Sequence, residues 1–250
     1  MKLREPKVHL KQIELMQRLM DAAICGYTDW ICGSVKIERA QEVVKRFAIE
    51  YQMDIDRNAR ARRKRAGLGN ARMILFDADM NIDWWLMVTP PENGKHPAHA
   101  AERLKNAFNR DGRIIVDGAY ELIRLTKKGA KKPTLTWRMT QERYQEWRDL
   151  IIESVRHGSK SSAHQLLINL YTTPGFSGVR SQVGHLAALY RSEVIRSGRN
   201  GLPELPKRLR YVRRLRDSGI TLSQFVRAKN NLLKQEKRSN EAAKEEDCNA

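Results

Sequence analysis

Nine residues, Arg57-Asn-Ala-Arg-Ala-Arg-Arg-Lys-Arg65, hold six cations: Arg57, Arg60, Arg62, Arg63, Lys64 and Arg65. Guanidinium groups match phosphate oxygens and bind them bidentately. A solvated helix end also carries basic residues, because cations suit the negative end of a helix dipole. Six in nine exceeds what a dipole needs, so phosphate contact is the favoured chemistry.

A second cluster, Lys127-Lys-Gly-Ala-Lys-Lys-Pro133, places Lys127, Lys128, Lys131 and Lys132 on a Gly/Pro turn between two strand-like runs. A hairpin with a basic tip can lie along a phosphate backbone as a wing. Lysines also protect ordinary edge hairpins from aggregation. A third feature is Thr172-Thr-Pro-Gly-Phe176 between two helical patterns, the outline of a helix-turn-helix. Arg180, Gln182 and His185 would then stand near the start of the second helix, where Arg and Gln can read bases or hold phosphates. A plain helical hairpin has the same outline. The fourth is Lys207-Arg-Leu-Arg-Tyr-Val-Arg-Arg-Leu-Arg216. Leu205, Leu209, Val212 and Leu215 fall at helical spacing, with Lys207, Arg208, Arg210, Arg213, Arg214 and Arg216 around them. This predicts a basic amphipathic helix, suited to phosphates more than to a membrane, since its apolar stripe lacks Trp and Phe.

His96-Pro-Ala-His99 is the only close histidine pair. It could offer two metal ligands or a general base for metal-independent RNA cleavage, but no HExxH, carboxylate cluster or Cys partner accompanies it. His96 and His99 are therefore weak catalytic candidates. Asp77, Asp79 and Asp83 have the chemistry for a divalent ion, although Asp is a routine turn residue. Trp84 and Trp85, adjacent on one strand, face opposite sides. Burial of both under flanking helices is favoured over an exposed stacking surface. No Walker, Rossmann or nucleophile motif is present, and no cofactor or metal is expected.

The bulk numbers point the same way. Lys and Arg total 47 against 29 Asp and Glu, a net charge of +18 over 250 residues, and the pI is near 10.1. A compact excess of that size repels itself unless a polyanion answers it. Cys25, Cys32 and Cys248 are too few and too scattered for a disulfide framework, which fits a reducing cytosol. The basic N-terminus lacks the apolar stretch of a signal peptide, and no run is long enough to span a membrane. Composition of this kind fits a bacterial, cytoplasmic protein.

The elements that must carry these groups read as α+β. A helical N-terminal part is expected over 1–66, with one helix from Val8 to Ile24 and a long second one capped by Ser34. A central domain over 67–158 should hold an antiparallel sheet with helices, with a winged-helix arrangement as one option. Its strands are expected near Arg72–Asp77, Ile82–Thr89, Arg113–Val116, Ala119–Thr126 and Thr134–Met139. A short helix over Ala98–Phe108 and a longer one capped by Thr140 accompany them. A helical C-terminal part covers 159–234, with helices over Ala163–Tyr171, Ser177–Ile195, Leu205–Arg216 and Thr221–Lys234. Thr221 and Gln224 form a capping box for the last of these. Residues 235–250 are charged, without apolar period, and are expected to lack order.

The expected role is an accessory, regulatory or scaffold protein on DNA or RNA, without catalysis of its own. One alternative is a nuclease using His96 and His99. Another is a basic subunit of a ribonucleoprotein or protein complex.

Overall fold

The computed structural model describes residues 5–53, 55–94, 96–126, 129, 131–232, 234 and 235. They fall into two compact units. The first is formed by the described residues of Met1–Leu104 together with Leu215–Ala250, the second by those of Lys105–Arg214. The boundaries expected near 66 and 158 fall inside these units. The tail expected to lack order lies, beyond residue 235, outside the described residues.

The first unit begins with β1 (Lys7–His9), α1 (Gln12–Ile24), β2 (Asp29–Lys36), α2 (Ile37–Glu50) and α3 (Arg57–Arg65). It continues with β3 (Ala71–Ala78), β4 (Asn81–Val88) and the short α4 (Pro97–Ala101). Strands β3 and β4 form the expected hairpin. Its two-residue loop is held by Asp77, whose Oδ1 accepts the Asp79 N–H at 3.1 Å, while Asp79 takes φ +62°. Strand β2 pairs antiparallel with the far edge of β4, in register Gly33↔Trp84. β1 lies parallel to β3, Val8 opposite Leu75. Gly33 is required there: an added Cβ would stand 2.6 Å from the Trp84 ring, which crosses over it.

Helix α2 buries Ile37, Ala40, Val44, Phe47 and Ala48. Val8, Leu75 and Ile82 meet the first three of these in one core cluster. Phe47 joins Tyr51, Leu86 and Val88 in a second. Trp85 is buried as expected, whereas Trp84, edge-on to Phe47, is only partly buried.

Two expectations fail in this part. The N-terminal region is not purely helical: β1 replaces the start of the first helix, and β2 stands where the second was to begin. The helix expected over Ala98–Phe108 shrinks to the five residues of α4.

The second unit contains β5 (Lys105–Asn106), β6 (Ile115–Val116), β7 (Tyr120–Leu125) and β8 (Thr134–Met139). These are followed by α5 (Gln141–Arg156), α6 (Lys160–Tyr171) and α7 (Ser177–Ser197). Strands β6-β7-β8 form an antiparallel meander. Thr140 caps α5 as expected, its hydroxyl accepting from the Arg143 N–H. Ser177 does not cap α7. Phe176 holds that position, and Ser177 Oγ instead bonds Thr136 Oγ1 at 2.9 Å. The helices that pack on this sheet, α5 and α7, follow the hairpin in sequence. A winged helix needs a helix ahead of its wing, and within this unit none of the α-helices precedes β7, among the described residues.

Trp137 is fully buried and anchors the packing of α7 on β8. Gly178 makes the approach possible: its missing Cβ would lie 2.4 Å from the Trp137 carbonyl oxygen. Gly178→Ala is expected to lower the unfolding free energy by about 1–3 kcal/mol through overpacking, read as a lower urea midpoint at unchanged m-value.

After Gly198, in the left-handed region at φ +63°, the chain does not form the helix expected over Leu205–Arg216. It runs as an irregular strap. Tyr190 donates to the Pro203 carbonyl at 2.7 Å, and the Val212 N–H donates to the Gly175 carbonyl at 3.1 Å. From Leu215 the chain belongs to the first unit. There the Leu215 N–H donates to Gln17, and Ser218 donates through both N and Oγ to the buried Glu14. β9 (Ile220–Thr221) pairs antiparallel with β1. A helix over 222–232 follows, opened by the expected capping box of Thr221 and Gln224. Leu222 and Phe225 complete the α2 core cluster.

Candidate nucleic-acid interface

Helix α3 is the densest cationic element. Asp56 caps it, its carboxylate accepting the Ala59 N–H at 2.6 Å, and the chain then carries six basic residues with no acid. No α3 residue is buried. Five of the six cations, Arg57, Arg60, Arg62, Lys64 and Arg65, make no ion pair with a described carboxylate. Arg63 is different: its Nε and Nη2 donate to the Gly69 carbonyl at 3.2 and 3.0 Å, and Nη1 donates to Gln52. Arg63 therefore fixes the helix to the loop that follows, Arg60 is half-buried beside it, and Arg57, Arg62, Lys64 and Arg65 are exposed. Like charges at i,i+3 and i,i+4 weaken a helix, so the cap and the Arg63 anchor hold this one against its own repulsion.

Beside α3 lies a pocket of about 310 Å³. Tyr27, Arg60, Lys64, Asn70 and Thr89 are among its lining residues. Asn70 is 5% exposed; its Nδ2 donates to the Arg60 carbonyl at 3.3 Å, and its Oδ1 has no partner among the described residues. Sequence reading missed this pocket, because its walls come from segments far apart in the chain.

On the second unit, Lys131 and Lys132 are exposed at the tip between β7 and β8. Lys127 and Lys128 lie outside the described residues. Gln182 donates to the Met139 carbonyl at 3.1 Å and accepts the Met139 N–H at 2.7 Å, replacing a neighbouring strand along β8. Its amide is therefore spent on the fold, which corrects its expected role at a base. Arg180 is half-buried, and its guanidinium stacks 3.2 Å from the centroid of the Tyr211 ring. In the strap, Lys207, Arg208, Arg210, Arg213 and Arg214 are exposed as expected, but along an irregular chain rather than on one face of a helix.

In comparisons with known proteins, no family model, no curated protein and no solved structure matches this chain. The reading therefore rests on the residues.

The carboxylates are largely committed elsewhere. Glu121 takes Arg113 at 3.0 Å and Arg138 at 2.6 Å. Glu193 takes Arg156 and Arg196. Asp77 takes Lys229 at 3.1 Å and Asp79 the same ammonium at 3.9 Å, so these turn aspartates answer a lysine. None of these acids neutralises α3.

The histidine pair has structural partners. His96 is 2% exposed and caps α4, its Nδ1 accepting the Ala98 N–H at 3.2 Å. Burial, with the Arg63 and His99 charges nearby, pushes its pKa down to about 4, so it is neutral at neutral pH. His99 Nε2 lies 2.9 Å from Asp29.

A third cluster was not foreseen. His9, Glu14 and Asp217 bring ligand-type atoms within 4.8 Å of one another. Lys7 occupies Asp217 at 3.1 Å and Ser218 occupies Glu14, so within the first unit the group holds the chain at 217–218. Positions 9 and 217 are too distant in sequence for any local pattern to show it. Among the described residues, no helix is long and apolar enough to cross a membrane.

Proposed function

We propose that this protein binds nucleic acid by gripping phosphate backbones through clustered arginine and lysine, as an accessory, regulatory or scaffold component. The observation that carries the reading is α3: six cations on a helix with no buried residue, five of them without a described carboxylate partner. Such a helix gains nothing from the core and repels itself until phosphates surround it. The exposed strap cations and the lysines of the β7–β8 tip support the same reading from the second unit.

The test is a binding series against salt, using fluorescently labelled single-stranded and duplex oligonucleotides. Log affinity should fall linearly with log salt, with a slope of several units, because each neutralised phosphate contributes roughly 0.7–0.9. A flat salt response, or binding no tighter than to a neutral polymer, removes the reading. An acidic protein partner would show only a shallow, curved salt dependence, because a folded partner has no condensed counterion layer to release.

A further inference from the structure

The strap carries one aromatic side chain whose position folding does not explain. Tyr211 is 75% exposed, the most exposed of the aromatic residues in the described chain. A ring left in water adds nothing to a core. One of its faces is covered by the Arg180 guanidinium at 3.2 Å from the centroid, a stacked cation–π contact. The exposure belongs to the rest of the ring.

The backbone beneath is fixed. The Val212 N–H donates to the Gly175 carbonyl, and Gly175 leaves no room for a Cβ, which would stand 2.1 Å from the Arg210 carbonyl oxygen. The ring is therefore held in place before any ligand arrives, and tyrosine has few rotamers to lose on contact. Lys207, Arg208 and Arg210 precede it in sequence, all exposed.

We propose that the open face of Tyr211 is a stacking site for one base of a single-stranded nucleic acid, whose phosphates lie on Lys207, Arg208 and Arg210. This rests on the nucleic-acid reading and adds strandedness to it. A paired base has its faces buried in the duplex stack, whereas a single strand offers them freely. The Arg180 guanidinium completes a three-layer stack of cation, phenol and base.

The test measures anisotropy of three labelled probes against the full chain. They are an oligothymidylate, the same sugar-phosphate backbone without bases, and a duplex of equal length. Tyr211→Ala should weaken oligothymidylate binding about 5- to 150-fold, the range for loss of one base–aromatic stack. It should leave the base-free and duplex probes unchanged. Tyr211→Phe keeps the ring and should stay within about twofold of the parent on all three.

Unchanged oligothymidylate binding by Tyr211→Ala overturns the stacking site and leaves the nucleic-acid reading standing. An equal loss on the base-free probe also overturns it, because Tyr211 would then only prop Arg180 and the strap. If the unaltered chain holds none of the probes, both inferences fall together, and an acidic protein partner becomes the better account of the strap.

Discussion

Reversing three exposed charges on α3, by Arg57→Glu, Arg62→Glu and Arg65→Glu together, should weaken nucleic-acid binding by on the order of a hundredfold or more at moderate salt. The salt slope should fall by roughly 2–3 units, one phosphate contact being lost per residue. The fold should tolerate the change. These side chains are exposed, the Asp56 cap and the Arg63 anchor are untouched, and removing cations relieves repulsion within the helix. Acidic residues near a helix C-terminus cost roughly 0.3–1 kcal/mol each against the dipole, which partly offsets that relief. The control is Arg39→Glu with Arg46→Glu on α2, where each arginine already sits 4.0 Å from a glutamate. If that pair weakens binding as much per charge as the α3 set, overall charge decides affinity and α3 has no special part. Circular dichroism of both variants guards against unfolding.

Acid should destabilise the first unit well before ordinary carboxylates titrate. His96 stays neutral in the folded chain down to about pH 4, while an unfolded histidine takes up its proton near 6.5. Between those values the unfolded state binds more protons, so stability present above pH 6.5 is lost as pH falls toward 4. The full loss from this one group is about 3 kcal/mol. His9 acts in the same direction: burial lowers its pKa, and the attraction of Glu14 only partly offsets that. Burial alone would raise the pKa of Glu14, but the two bonds from Ser218 and the His9 charge hold it below the usual range. Its stabilising share is present above about 4.5 and lost at still lower pH. Urea unfolding at a series of pH values between 7.5 and 4 reads the loss. His96→Asn keeps an N-cap acceptor but no titrating ring, so its stability curve should be flatter over that window. An unchanged slope in the variant would mean that His96 does not drive the acid response.

Much of this architecture could be read locally, and the failures share a cause. The β3–β4 hairpin, β8, α5 with its Thr140 cap and the Thr221–Gln224 box are each specified by neighbours within a few residues. Strand β2 is not. Its alternating burial becomes visible only against Trp84 and Trp85 on β4, some fifty positions on. The strap was misread in the same way, from a helical rather than a strand pattern. Leu205, Leu209, Val212 and Leu215 keep helical spacing, yet a helix would stack Arg210 over Arg213 and Arg214. Distant partners take the backbone instead: Gly175 holds Val212, Gln17 holds Leu215 and Glu14 holds Ser218. The arginine run was legible because exposure and charge need no partner. Gln182 was misread because nothing near it in sequence shows that the Met139 backbone would claim its amide.

The first unit is assembled from both sides of the second. Its sheet is extended by β9 and its core closed by Leu222 and Phe225, residues made after the whole of 105–214. During synthesis, then, the middle of the chain can reach its native contacts while the earlier-made portion still waits for its last strand to leave the ribosome. The host that brackets the insert is complete only once β9, Leu222 and Phe225 have been made.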